Sequence, residues 1–247
     1  MSLFIDNNAR SYDERAKHWE EAMSKNVGHI YLEKPAMLKE LPNDFFEKSV
    51  LCIGVGSGEE LEEILKRNPQ KVTAIDISEE LLAIAREKYP HVHFERMDMM
   101  DMSFPDASFD FVYSSLAFHY ANDWDALLQE VYRISKQGGE LLFSTHNPGY
   151  WSKKPETGNT YTNERGVTLK EHTDILPGDV KVVFYNHPNE ASIIDAVEKA
   201  GFVVQSSLVP LVIETADVPE DIRESYEKLK EKNLVLPLFF IVHAKHP

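Results

Sequence analysis

Three glycines at alternate positions, Gly54, Gly56 and Gly58, follow an apolar run in "VLCIGVGSGEE", residues 50–60. Glycines so spaced let a ligand lie against backbone that a side chain would block. Asp76 ends "KVTAIDI", about twenty residues further on, and a carboxylate there can accept hydrogen bonds from both hydroxyls of a ribose. Asp98, in "ERMDMMDMSFP", can accept from an adenine amino group. The backbone of Met99 stands beside it, and Met97, Met99, Met100 and Met102 offer soft apolar surface or core filling.

Two ligand classes suit a glycine turn of this kind. Dinucleotide sites read G-x-G-x-x-G, with the pyrophosphate at a helix start. Here Glu59 holds the third position of that fingerprint, and a carboxylate there repels a pyrophosphate. It suits a ligand with an amino group or a positive sulfur, which favours S-adenosylmethionine over NAD. A nicotinamide enzyme stays open as the weaker reading.

The elements that must hold these residues are legible as an alternation. Apolar runs at 50–55, 71–77, 91–96 and 109–115 read as strands, and amphipathic stretches between them as helices. The first helix spans 59–67. Ser78 can cap a second through Tyr89, with Glu79 and Glu80 at its positive end. Asn122 or Asp123 can cap a third, whose Trp124, Leu127, Leu128, Val131 and Ile134 share a face. Gly138-Gly139 then turns the chain into a strand at 140–145. The rhythm predicts a doubly wound, Rossmann-like α/β fold, its sheet mainly parallel. It lapses over 146–187, which reads as an irregular segment capping the site. A helix at 190–200 closed by Gly201, a strand over 202–213, a charged helix over 219–232 and a strand over 238–244 complete the chain.

Composition narrows the function. The net charge is −15, with no clustered Lys and Arg of the kind phosphate backbones demand, so nucleic acid is not expected as a partner. One cysteine excludes an internal disulfide. No apolar run approaches a membrane span, and the start lacks the basic-then-apolar pattern of a signal peptide. A soluble cytoplasmic protein acting on a small molecule is the expectation.

The stretches "VLCIGVGSG", "VTAIDIS", "MDMMDMSFPDASFDFVYSSLAFHY" and "EVYRISKQGGELLFS" resemble, in order, the motifs of class I S-adenosylmethionine-dependent methyltransferases. The likeness is closest to the small-molecule branch that includes the ubiquinone and menaquinone biosynthesis enzymes. It covers about residues 45–200, and "SYDERAKHW" and "VFYNHPNEASIIDAVEKAGF" extend it. The resemblance implies a seven-stranded sheet with an antiparallel last strand. It implies one domain over 1–247: an N-terminal helical segment (1–44), a cofactor-binding core (45–145), a cap (146–187) and the rest of the sheet (188–247). It places Gly54, Gly56 and Gly58 against the cofactor's methionine end, Asp76 and Ile77 at the ribose, Asp98 and Met99 at the adenine, and Ser114 and Ser115 near the sulfonium. No metal is expected. One position departs: the family's usual acid, two places before the first glycine, is Cys52. A cofactor-binding module without catalysis is therefore the alternative from another class.

Methyl transfer to an activated sulfonium carbon needs alignment first, and a base only where the acceptor must lose a proton. His119 is the candidate catalytic group, and Tyr12, Tyr120, Tyr185 and His187 are candidates for substrate contact. His91 and His93 share a strand face but lack a third metal ligand. "HNPGY", 146–150, follows the fifth strand and reads as a turn into the cap.

Overall fold

The computed structural model describes residues 3–153, 160–162, 166–176, 180–215 and 217–247. It opens with helix α1 (Leu3–Ser24), a π-helical turn (His29–Glu33) and α2 (Lys34–Glu40). The alternation follows: β1 (Ser49–Ile53), α3 (Leu61–Leu65), β2 (Lys71–Asp76), α4 (Glu79–Lys88), β3 (His93–Arg96) and β4 (Phe109–Ser114). A 3-10 turn (Phe118–Tyr120), α5 (Trp124–Ile134) and β5 (Ser135–His146) come next. Then come α6 (Pro148–Trp151), β6 (Thr160–Thr162), β7 (Thr168–Leu176), β8 (Val180–Asn186), α7 (Glu190–Ala200), β9 (Val203–Leu208), α8 (Glu220–Val235) and β10 (Phe239–Lys245).

Seven strands form one sheet in the order β3-β2-β1-β4-β5-β10-β9. β1, β2, β3, β4 and β5 pair in parallel, and β10 runs antiparallel to both β5 and β9. The last strand is thus the antiparallel one, inserted next to the edge. Because strand side chains alternate, β1 sends Leu51 and Ile53 to one face and Val50 and Cys52 to the other. The first face packs on α5 and α7 through Leu127, Leu128, Val131, Ile193 and Val197. The second packs on α2, α3 and α4 through Met37, Leu61, Ile64, Leu82 and Ala85. Ligands in open sheets of this type bind where the connections from neighbouring strands leave in opposite directions. Here that point lies between β1 and β4.

Local chemistry sets the helix starts. The Ser78 hydroxyl accepts from the Leu81 N–H at 3.2 Å, and Asp123 accepts from Ala126 at 3.0 Å. Gly201 closes α7 in the left-handed region, φ 112°.

Three expectations change. The described residues of 146–187 are not all irregular: β6, β7 and β8 form a three-stranded antiparallel sheet. Its signal was present in "VKVVFYN", where Val182 and Phe184 alternate into the core. The glycines, prolines and short polar residues around it masked that period. The strand expected at 140–145 begins earlier, at Ser135, because Gly138-Gly139 sits inside β5 at a register shift opposite Phe109 and Phe111. The strand expected over 202–213 ends at Leu208, before Pro210.

Leu128 is fully buried at the centre of the α5 contact. Leu128→Ala should cost about 2–5 kcal/mol, read by chemical denaturation, with the fold's circular dichroism retained.

Candidate functional site

The glycine turn continues β1 past its last ladder pair: the N–H groups of Gly54 and Val55 both donate to the Ile75 carbonyl, at 2.8 and 3.1 Å. The turn then takes positive φ at Gly54 (68°), Gly56 (57°) and Gly58 (87°). A Cβ on Gly54 would stand 2.3 Å from the Ala117 Cβ, so the loop after β4 can approach only because that atom is missing. Asp76, ending β2, closes the turn from the other side. Its Oδ2 accepts from the Gly56 N–H at 2.8 Å, and its Oδ1 accepts from the Ser78 N–H at 2.9 Å. Burial pushes the Asp76 carboxyl up, and backbone N–H groups of Ser78, Gly56 and Ile77 pull against that; the net shift is upward.

These residues border a cavity of about 330 Å³, which Gly54, Gly56, Asp76, Ile77, Asp98 and Met99 line. Met97 and Met100 line it too, whereas Met102 is core. Asp98 folds its own turn, with Oδ1 accepting from the Met100 N–H at 2.9 Å.

The N-terminal segment supplies another wall. The π-helical turn buries His29 and Glu33 completely enough that they are 4% and 0% exposed. His29 Nδ1 donates to Glu33 Oε2 at 3.0 Å. Its Nε2 lies 3.0 Å from Glu60 Oε1, an ion pair off the N–H axis of an aligned hydrogen bond. Burial alone lowers the imidazole's pKa, but the contacts with Glu33 and Glu60 outweigh it and raise it to about 10. Glu33 Oε1 also accepts from the hydroxyls of Ser115 at 3.0 Å and Ser144 at 2.5 Å. The Ser144 hydroxyl accepts in turn from the Leu116 N–H at 3.0 Å. Leu116 lines the cavity at φ 49°, a strained value for a bulky side chain. Among the described residues, His29, Glu33 and Glu60 are the one group with the donor set of a metal site. With both ring nitrogens turned to carboxylates, the imidazolium itself stands where a cation would.

The far wall is aromatic. His119, on the 3-10 turn, stacks on His146 with ring centroids 3.8 Å apart and planes at 14°. It also packs on Tyr120 at 4.4 Å. Tyr120 and Tyr12 of α1 share a hydrogen bond between hydroxyls. Tyr185 of β8 completes this wall. His119 is 2% exposed, its Nδ1 makes no hydrogen bond, and burial pushes its pKa down to about 3. The ring is neutral at physiological pH.

α1 holds this end together. Asp13 accepts from the Ser78 hydroxyl at 2.6 Å, and the Ser11 hydroxyl donates to the Lys181 carbonyl of β8 at 2.7 Å.

Residues 51–143 match the methyltransferase domain family. A crystal structure of an S-adenosylmethionine dependent methyltransferase from Mesorhizobium loti superposes with TM-score 0.66 at 26% identity, covering 86% of this chain and 97% of that one. The malonyl-[acyl-carrier protein] O-methyltransferase of Serratia marcescens is 30% identical over 159 residues, 64% of this chain and 57% of that protein. Over residues 51–143, and in its fold, the chain is similar to S-adenosylmethionine-dependent methyltransferases. A Listeria monocytogenes structure, at 24% identity and TM-score 0.70 over 87% of this chain and 96% of its own, adds the fold alone. The chain spans only 34% to 57% of the first curated relatives it matches.

Within this fold, the sequence-predicted residues divide. Gly54, Gly56, Asp76, Ile77, Asp98, Met99, Ser115, His119, Tyr12, Tyr120 and Tyr185 come together around the cavity. Gly58, Ser114 and His187 do not line it. Gly58 faces the Tyr89 ring, and the Ser114 hydroxyl donates to the Ile53 carbonyl at 3.1 Å. His187 is buried between Ser192 Oγ, 3.0 Å from its Nδ1, and the Trp124 ring, which makes it part of the α7 start. His91 and His93 are exposed, His93 beside Glu95 at 2.6 Å. His29, Glu33, Leu116 and His146 also belong to the site, beyond the residues predicted from sequence. The i, i+4 spacing of His29 and Glu33 was a usable signal. Nothing in the sequence placed His146 beside His119, because that pairing follows from strand register.

The raised pKa of His29 makes a stability prediction. The unfolded value is 6.5 and the folded value about 10, so its stabilising effect is complete below pH 6.5 and is lost as pH rises through 10. Stability measured by denaturant titration should fall across that window by up to about 1.4 kcal/mol per pH unit, and His29→Gln should flatten the fall. Gly54→Ala should destabilise the fold by about 2–4 kcal/mol, from the positive φ and the Ala117 clash together.

Proposed function

We propose that this protein transfers a methyl group from S-adenosylmethionine to a small molecule bound against the His119 wall. The observation that carries the reading is the convergence of Gly54, Gly56, Asp76 and Asp98 on one cavity at the β1–β4 switch point. The residues fit the cofactor. The backbone cradle at Gly54 and Gly56 admits no added side chain without strain. Asp76 accepts the Gly56 N–H on one oxygen and the Ser78 N–H on the other and still borders the cavity, where its carboxylate can accept from a ribose hydroxyl. Asp98, with Met97, Met99 and Met100 around it, offers an acceptor and apolar surface for an adenine. Bound there, S-adenosylmethionine supplies a methyl group on positively charged sulfur, ready for in-line displacement by an aligned nucleophile.

The chain's own work is alignment and exclusion of water. Tyr12 and Tyr120, joined at their hydroxyls, bring α1 against the cavity. His146, Tyr185 and His119 give flat faces for an apolar or aromatic acceptor. His119 is neutral, so its role is to accept a hydrogen bond from the acceptor and orient the attacking atom; its depressed pKa makes it a weak store for a proton. The net charge of −15 fits a small molecule better than nucleic acid, and a cytoplasmic location fits the single buried thiol. Among the described residues no helix is long and apolar enough to cross a membrane.

Calorimetric titration with S-adenosylmethionine, S-adenosylhomocysteine and NAD tests the reading. Both adenosyl-sulfur ligands should bind and NAD should not; Asp76→Ala should weaken them by about 1.5–3 kcal/mol. Selective binding of NAD would return the nicotinamide alternative. With an acceptor in hand, formation of S-adenosylhomocysteine should be insensitive to His119 titration from about pH 5 upward, since protonation lies near pH 3. Cofactor binding without turnover in a broad acceptor screen would favour the binding module.

A further inference from the structure

Glu60 is a carboxylate that the fold has brought to the cavity and left with work to do. It sits at the end of the glycine turn, one residue before α3, and is 8% exposed. Beyond its ion pair with His29, its carboxylate accepts no hydrogen bond among the described residues. A buried carboxylate so placed is costly unless something compensates it. His29 compensates one oxygen only, and its Nε2, buried and donating no aligned hydrogen bond, leaves that pair incomplete. Both residues line the cavity beside Gly54 and Gly56.

We propose that Glu60 binds the ammonium of the cofactor's amino-acid end, and that His29, gripped by Glu33, is the positioning residue that holds the Glu60 carboxylate toward the cavity. This rests on the reading of the cavity as an S-adenosylmethionine site. The ammonium is the cation of choice because Glu60 belongs to the same turn as the glycines and lies with Tyr113 and Ser115 at the end of β4, whereas Asp98 follows β3, two strands beyond β1 in the other direction. Position 52 cannot serve. Cys52 is buried behind the turn, and burial together with the Glu60 charge holds its thiol protonated. The other titratable groups around the pair are Glu33 from the π-turn, Tyr113 from β4 and Glu59 from the turn itself. Tyr113 feels both Glu60 and Glu33 and is pushed up by burial, so it stays a neutral phenol. None of them is a cation that could replace His29.

The proposal separates three ligands by calorimetry: S-adenosylhomocysteine, its deaminated analogue, and 5′-methylthioadenosine, which lacks the amino-acid end. Glu60→Gln should weaken S-adenosylhomocysteine on the order of tenfold or more while leaving the deaminated analogue and 5′-methylthioadenosine unchanged. The unchanged ligands also show that the variant folds. His29→Gln should weaken S-adenosylhomocysteine several-fold while leaving the deaminated analogue and 5′-methylthioadenosine unchanged, because the Glu60 carboxylate is no longer held toward the cavity. Equal loss for all three ligands in Glu60→Gln, or no loss for any, overturns the assignment of Glu60 while the cofactor reading stands. Unchanged S-adenosylhomocysteine affinity in His29→Gln, or equal loss for all three ligands, overturns the positioning role. Failure of the wild type to bind any of the three overturns the cofactor reading and this assignment with it.

Discussion

The Asp76 carboxylate is the group on which the site depends. One oxygen holds the Gly56 N–H and the other the Ser78 N–H, so a single side chain ties the glycine turn to the start of α4. The three glycines of the turn stand at positive φ and have no side chains to hold them there. Its shape is imposed from outside: by Asp76, by the Ile75 carbonyl under Gly54 and Val55, and by Ala117 pressed into the space above Gly54. The same carboxylate borders the cavity. Building the turn and recognising a ligand are therefore one function of one residue, carried by a strand whose buried face fixes its register.

A second constraint comes from the N-terminus. Glu33 gathers the hydroxyls of Ser115 and Ser144, and Ser144 pins the strained Leu116, so the ends of β4 and β5 are fixed by a residue from the π-turn. π-turns in helical segments often mark functional positions, and this one places His29 and Glu33 in direct contact. Buried ions stabilise only when their partners are complete, and removal of one partner costs about 3–5 kcal/mol. The N-terminal segment is thus part of the cavity wall rather than an appendage to the sheet.

Much of this was legible beforehand, for stated physical reasons. The glycine turn, Asp76 and Asp98 each stand at a strand end, and residue type with spacing was enough to place them. Ser78 and Asp123 announced their helices because capping is local chemistry. What escaped was of two kinds. The sheet of β6, β7 and β8 lay in a stretch rich in turn residues, where period-2 alternation was short and easily outweighed. The His119–His146 stack and the His29–Glu60 pair join residues distant in sequence, and no local pattern encodes such contacts. His187 erred the other way: it stands near a helix start, as expected, but turns toward Trp124 and Ser192 instead of the cavity.

The most direct test is a crystal structure of the protein grown with S-adenosylhomocysteine. The ligand is expected in the cavity, with its ribose hydroxyls on Asp76, its adenine beside Asp98 and Met99, and its thioether facing the His119 wall. A ligand bound elsewhere, or bound in the cavity with its ribose away from Asp76, would contradict it.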